Sequence, residues 1–358
     1  MSAINFGSEI SLQEFAHSVA TVGEYVTIIG EGEMGLGKSA MLSEIVRLRP
    51  THKPMMIDCT LLDVGDCALP FVVEENGMKV TRFAPNARFG FNAGGPVAVC
   101  LDEIGKASRP VQNVLLTLLY EKRLGDNYLP EGSIVFATSN LGIEGLGDLM
   151  QKHALNRATK VRIRKPDADE WIENFAMPKG LEATIIAWVK QFPHCLAAAT
   201  DSTQRENPYI NNLHDAGRSA FVTGRSLEKA SHIAARRAEL GEATTIALLA
   251  GTVGESAARD MQAFFTVADK LPTWDAIVSD PDNAKLPDDT VAKCILTFGA
   301  VTRVDKDTLS KWMRYAQRMD KEWQALFATS VMKVANKQAF CVMNKDFKDW
   351  ALANQWLF

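Results

Sequence analysis

A chain of 358 residues with 47% apolar and 23% charged side chains can build two or three globular domains with sizeable cores, which excludes a disordered or fibrous polymer. With 39 Lys plus Arg against 43 Asp plus Glu, the net charge of −4 argues against a dedicated nucleic-acid binder and leaves only a local basic patch open. The first fifteen residues carry acidic side chains and no apolar core of the signal-peptide type, and no run of about 18 apolar residues occurs, so a cytoplasmic protein is expected. The six cysteines are scattered without Cys-x-x-Cys or a His/Cys cluster at metal spacing. Cys59 and Cys100 fall at or within apolar strand candidates, as small core residues do, and the adjacent His194-Cys195 has no partner that would suggest catalysis or a metal.

The first strand candidate is the apolar run Tyr25–Ile29. It leads into Gly32-Glu33-Met34-Gly35-Leu36-Gly37-Lys38-Ser39, and a helical stretch from Ala40 ends at Pro50. Strand, glycine loop, Lys-Ser and helix form the phosphate cradle of P-loop nucleotidases. Gly32, Gly35 and Gly37 allow a tight turn whose N–H groups face an anion at the positive end of the helix. Lys38 reaches the β- and γ-phosphates, and the Ser39 hydroxyl ligates magnesium. The cradle as a whole is Gly32, Glu33, Met34, Gly35, Leu36, Gly37, Lys38, Ser39 and Ala40.

Met55–Cys59 is a short second strand. Leu69–Val73 and Met78–Phe83 flank Glu74-Glu75-Asn76-Gly77, and Asn-Gly between apolar runs predicts a hairpin inserted in the core. Val97–Leu101 is continuously apolar, as a strand covered on both faces should be, and ends in Asp102-Glu103. A carboxylate pair at that place suits phosphoryl transfer, the first holding the metal shell and the second polarising the attacking water as general base. A helix begins near Pro110, with Val111, Val114, Leu115, Leu118 and Leu119 on one face. A second small hairpin is predicted around Leu124–Leu129. Ile134–Ala137 is the next strand, followed by Ser139-Asn140, where Asn140 would orient water and sense the γ-phosphate. In Val161–Arg164 the charges of Lys160, Arg162 and Arg164 alternate with apolar residues, which suits a sheet edge. Strands alternating with helices predict a parallel α/β sheet over about residues 20–165.

After Pro166 the chain turns helical, with an apolar stripe at Leu181, Ile185, Trp188, Val189 and Phe192 and a further helix from about Arg225. The long polar stretch Thr200–Ala220 reads as a mobile loop. Leu271-Pro272, Asp280-Pro281 and Leu286-Pro287 break the pattern before a final helical section containing Leu309, Trp312, Met313 and Ala316. The expected organisation is an α/β core over 1–165, a helical lid over 166–270 and a helical extension over 271–358.

The glycine loop, Asp102-Glu103, Ser139-Asn140, Leu155-Asn156-Arg157 and Thr223-Gly224-Arg225-Ser226 follow one another in the order of an AAA+ ATPase. The chain resembles the MoxR-type branch, including CbbQ- and NorQ-like proteins, from the first strand to about Pro287. Finer matches are Leu69-Pro70 with the Asn-Gly hairpin, Ala84-Pro85, Ala107–Asn113 and Arg123-Leu124-Gly125. The resemblance implies ATP and Mg2+ as ligands, with Ser39 and Asp102 as metal residues and Glu103, Lys38 and Asn140 as catalytic residues. It also implies an insert hairpin at Leu69–Phe83 and a pre-sensor hairpin at about Lys122–Pro130. Arg157 falls at the arginine-finger position, which acts in a neighbouring subunit, and Arg225 at the sensor-two position of the lid. Family members usually carry an aromatic residue after the finger, whereas Ala158 stands here, so Arg162 and Arg164 are alternatives.

A finger acting in trans implies a ring, most simply a hexamer. Members of this branch remodel or activate a partner protein, often von Willebrand A-type or metallopeptidase-like. Tyr128, Phe71 and Met78 on the hairpins are candidates for partner or pore contact. Two other readings compete: a DNA-dependent ATPase of clamp-loader or initiator type, and a nucleotide-gated assembly module with little turnover. The basic residues Arg157–Lys165 lack interleaved aromatics, which favours a solvated edge strand over a nucleic-acid surface.

Overall fold

The computed structural model describes residues 9–141, 157–211 and 219–357, without the side chains of Lys38, Ser39 and Leu357. Leu155 and Asn156, residues 212–218 of the predicted loop and residues 1–8 of the amino terminus lie outside the described residues. The chain separates into two compact units, Met1–Lys165 and Pro166–Phe358.

The first unit is α/β. Helix α1 (Leu12–Val22) opens it, with Ser11 and Glu14 closing a reciprocal capping box. Strand β1 (Ile28–Gly32) runs into the glycine loop and α2 (Lys38–Leu48). Then come β2 (Lys53–Asp58), the short helix α3 (Val64–Cys67), and the hairpin β3 (Ala68–Glu75) and β4 (Met78–Pro85). Strand β5 (Val97–Asp102) precedes α4 (Arg109–Glu121), the small hairpin β6 (Arg123–Leu124) and β7 (Asn127–Tyr128), and β8 (Ile134–Asn140). Strand β9 (Thr159–Arg162) closes the unit. Five of these strands form one parallel sheet in the order β2-β5-β8-β1-β9.

Each central strand is apolar on both faces because helices cover both. Ile29, Ile57, Val99, Leu101, Val135 and Ala137 pack with Val111, Leu115, Leu118 and Leu119 of α4. The alternate residues Ile28, Ala98, Cys100, Ile134 and Phe136 pack with α1 (Phe15, Ala16, Val19) and α2 (Met41, Leu42, Ile45). A fully buried side chain of this kind contributes about 1.5–3 kcal/mol.

Strand boundaries differ from the sequence reading: β2 is Lys53–Asp58 rather than Met55–Cys59, the hairpin strands are longer, and β1, β8 and β9 shift as well. Strand β1 begins at Ile28 rather than Tyr25, because Tyr25 and Val26 both donate backbone hydrogen bonds to Val22 O and finish the turn that closes α1. Tyr25 is 83% exposed. Strand β8 runs on to Asn140, so Ser139 and Asn140 are strand residues paired with Glu31 and Gly32 instead of following the strand. Strand β9 starts at Thr159, two residues early, since its register with β1 begins at Ile28. It lies at the sheet edge with its charges paired: Lys160 to Glu31 and Arg162 to Glu9, both at 2.7 Å.

The β3–β4 hairpin turns on Asn76-Gly77, both with positive φ (54° and 76°), which is the two-residue turn that Asn-Gly favours. All six cysteines are free and buried. Burial pushes the Cys59 thiol up, with the Asp102 carboxylate as the next cause, so it is an inert core residue.

The second unit is helical. Ala183–Gln191, Gly224–Ala235, Glu255–Ala268, Thr290–Arg303, Leu309–Ala316, Lys321–Met332 and Lys345–Ala353 are among its helices. One core, from Ala168 to Trp350, runs through both 166–270 and 271–358. The described part of Thr200–Ala220 departs from a mobile loop. It is irregular but anchored: Tyr209 and Ile210 are buried, the Tyr209 hydroxyl donates to Asp260 at 2.7 Å, and its ring meets Trp188 edge-on. Two large apolar side chains outweigh the polar residues around them.

Candidate active site

In a parallel sheet the strands share one direction, so the carboxyl ends of β1, β5 and β8 lie at one edge. Leu101 is level with Ala137, and Ala137 with Ile29. The next row is therefore Asp102, Thr138 and Gly30, and two residues further Asn140 faces Gly32. Adjacent strands are about 4.8 Å apart, which places the Asp102 and Gly30 backbones about 10 Å from each other. Side chains alternate along a strand, and Cys100, Phe136 and Ile28 face α1 and α2. Asp102, Thr138 and Asn140 share their face. The helix that Lys38 and Ser39 open covers it, and α2 packs on β2 and β5.

The glycine loop is shaped by two left-handed residues, Gly35 (φ 70°) and Gly37 (φ 94°). Gly37 caps α2 without a side-chain hydrogen bond to the helix's first N–H groups. Gly32 is different. It is an extended strand residue, and a Cβ there would come within 3.2 Å of both Ile163 O and Leu36 Cδ1. Leu36 is buried and pins the loop to the core, whereas Met34 is exposed. Glu33 is buried, with its carboxylate 4.0 Å from Lys165 Nζ. Ala40 N donates to Gly37 O at 2.8 Å, closing the first turn of α2.

Asp102 ends β5, and the buried Thr138 hydroxyl donates a hydrogen bond to its Oδ1. Glu103 leaves the strand in a left-handed conformation (φ 55°), uncommon for a residue with a side chain and frequent where function fixes a turn. The turn continues as Ile104–Lys106, where Lys106 Nζ stands 3.2 Å from Glu103 Oε2. Gly105 lets this turn lie against β8, since a Cβ there would meet Ser139 Oγ at 2.7 Å. Asn140 is buried at the tip of β8.

The structure thus brings the loop 32–40, Asp102, Glu103 and Asn140 to one edge of the first unit. Arg157 is elsewhere: it is exposed and precedes β9, level with residue 26 at the amino end of β1. Four strand steps lead from Ile28, level with Thr159, to Gly32, roughly 13 Å, and Arg157 lies two residues further back, away from its own loop. Arg162 is tied to Glu9, and Arg164 N donates to Ile10 O. Arg225 is the second residue of the helix Gly224–Ala235, exposed in the second unit and inside the capping box of Thr223 and Ser226. Thr138, Gly30, Gly105 and Lys106 escaped the sequence reading. Period-two alternation back from Asn140 was the available signal for Thr138.

No family model and no curated protein matches the chain. Solved structures do show similarity. A presumed ATPase from Cytophaga hutchinsonii is 13% identical over 74% of this chain and 91% of its own, with a TM-score of 0.33. NtrX from Brucella abortus in complex with ATP is 14% identical over 74% of this chain and 69% of its own, with a TM-score of 0.32. Hsp104, imaged with ATPγS and casein, is 15% identical over 66% of this chain and 39% of its own, with a TM-score of 0.32.

Proposed function

We propose that this chain is an ATP hydrolase of the AAA+ type, whose turnover remodels or activates a partner protein as in the MoxR-type branch. The observation that carries the reading is the meeting of the glycine loop, Asp102-Glu103 and Asn140 at one sheet edge, on strands ordered β2-β5-β8-β1-β9. In this reading the N–H groups of Gly35–Ser39 and the Lys38 ammonium hold the triphosphate. Glu103 accepts the proton of the attacking water, and Asn140 orients that water. Asp102 and Ser39 are hard oxygen donors, a set that would suit magnesium completed by phosphate and water. Bound there, magnesium would neutralise phosphate charge during transfer.

Arg157 and Arg225 complete the proposal. Because Arg157 lies at the amino end of β1, away from its own loop, its role belongs to a neighbouring subunit, and the active form is a ring, most simply a hexamer. Arg225, near the start of its helix, would report nucleotide occupancy to the second unit. No described helix is long and apolar enough to cross a membrane.

Glu103→Gln tests the central assignment. ATP binding, measured by calorimetry, is expected to survive while steady-state phosphate release nearly vanishes. Turnover within about tenfold of the parent, a loss of about 1.4 kcal/mol or less, removes Glu103 from the role of base.

A further inference from the structure

We infer that Thr138 is a positioning residue for the metal carboxylate, an inference that rests on the ATPase reading. Thr138 is fully buried in the middle of the sheet, where Val135, Phe136 and Ala137, all apolar, precede it in its strand. A hydroxyl in such a place is costly unless it is hydrogen-bonded. Its bond is to one atom, Oδ1 of Asp102, from the strand alongside and the same register row. The third member of the row is Gly30, where a Cβ would strike Ile163 Cδ1 at 2.6 Å and the Phe15 ring at 2.7 Å. With glycine beyond it, Thr138 is the side chain of β8 that divides Asp102 from β1.

The chemistry follows from the inventory of groups. An ionised carboxylate has two oxygens and several acceptor directions, and free rotation about its Cβ–Cγ bond would spread them. A buried hydroxyl on Oδ1 fixes that rotation and commits one oxygen to the protein. Oδ2 is then the oxygen offered to a divalent cation. The arrangement is that of an outer-shell partner which orients a metal ligand, and removing such partners typically lowers metal affinity by about 10–100-fold. Valine is the isostere that keeps the shape of Thr138 and deletes the donor; serine keeps the donor and deletes a methyl.

The experiment uses the full chain and two readouts other than turnover. Nucleotide affinity is taken from ADP calorimetry in EDTA and in magnesium, and metal affinity from the electron paramagnetic resonance of free Mn2+ titrated into the ADP complex. In Thr138→Val, metal-free ADP binding is expected to stay at the parent value while Mn2+ affinity falls by about tenfold or more. Thr138→Ser is expected to restore Mn2+ affinity to within about threefold of the parent, since the donor is back. Parental Mn2+ affinity in Thr138→Val overturns the inference. So does a fall in metal-free ADP binding matching the fall in Mn2+ affinity, because Thr138 would then only support the fold. If Thr138→Val does not fold, the serine variant decides alone, and loss of Mn2+ affinity in it overturns the inference. A parent chain that binds neither ADP nor Mn·ADP fails the ATPase reading itself, an outcome distinct from all of these.

Discussion

Gly30 shows how closely a single position is specified. Its neighbours Ile29 and Glu31 point where a strand requires, but Gly30 faces the Phe15 ring of α1 and Ile163 beyond β9, both within 2.8 Å of where a Cβ would sit. Only hydrogen fits, and the helix can therefore lie tight on β1 beside the glycine loop. Gly30→Ala is expected to cost about 1–3 kcal/mol by overpacking, read as a lower urea midpoint at unchanged slope. An unchanged midpoint would mean that α1 yields freely. Gly37 is the contrasting case, where an added Cβ would meet only Leu12 Cδ1, at an ordinary contact distance of 3.6 Å. Its constraint is the backbone, since φ of 94° is a conformation that side chains resist. Gly37→Ala should therefore weaken ADP binding in calorimetry far more than it lowers thermal stability.

The two hairpins are joined as one element. Arg82 of β4 holds Glu75 across its own hairpin at 2.8 Å and reaches Asp126 in the turn of the other at 3.3 Å. Asn127 Nδ2 donates to Phe83 O at 2.7 Å, and Gly125 leaves room for the Phe83 side chain. The Asn-Gly turn was legible in the sequence because turn chemistry is local, whereas both strands run beyond their apolar stretches, to Ala68–Glu75 and Met78–Pro85. The link between the hairpins was not legible, because Arg82 and Asp126 lie 44 positions apart and nothing in their spacing announces contact. The Arg82 guanidinium bound to Glu75 holds that carboxyl below its ordinary value. Its contribution to the hairpin is thus present above the ordinary carboxylate value of about 4.3 and is lost as pH falls through the lowered folded one. In Arg82→Ala the Glu75 midpoint should climb toward about 4.3, followed by carboxyl NMR. A midpoint that does not move would separate Arg82 from the effect.

At the scale of the molecule, the sequence revealed the sheet because continuously apolar runs such as Val97–Leu101 can only be strands covered on both faces. The candidate site was legible as motifs that sit at strand ends. The sequence concealed α1, though Ser11 and Glu14 spell a capping box, and it concealed Thr138, whose role exists only once β5 and β8 lie in register. The placement of Arg157 is likewise a product of topology: β9 runs parallel to β1, so a residue before β9 falls at the end of the sheet away from the loop. Under the proposed function that distance has a consequence for mixtures of subunits. Arg157→Ala keeps an intact Glu103 and lacks the arginine for its neighbour; Glu103→Gln has the reverse defect. Each variant alone should bind ATP and release almost no phosphate. Mixed in equal amounts and allowed to exchange, they should recover about one quarter of parental turnover, since half the sites keep Glu103 and half of those adjoin an Arg157 donor. Phosphate release across a mixing series measures this, and its curve should be parabolic with the maximum at equal parts. A flat series at background would place Arg157 in some other role and leave Arg162 and Arg164 as the arginines to test.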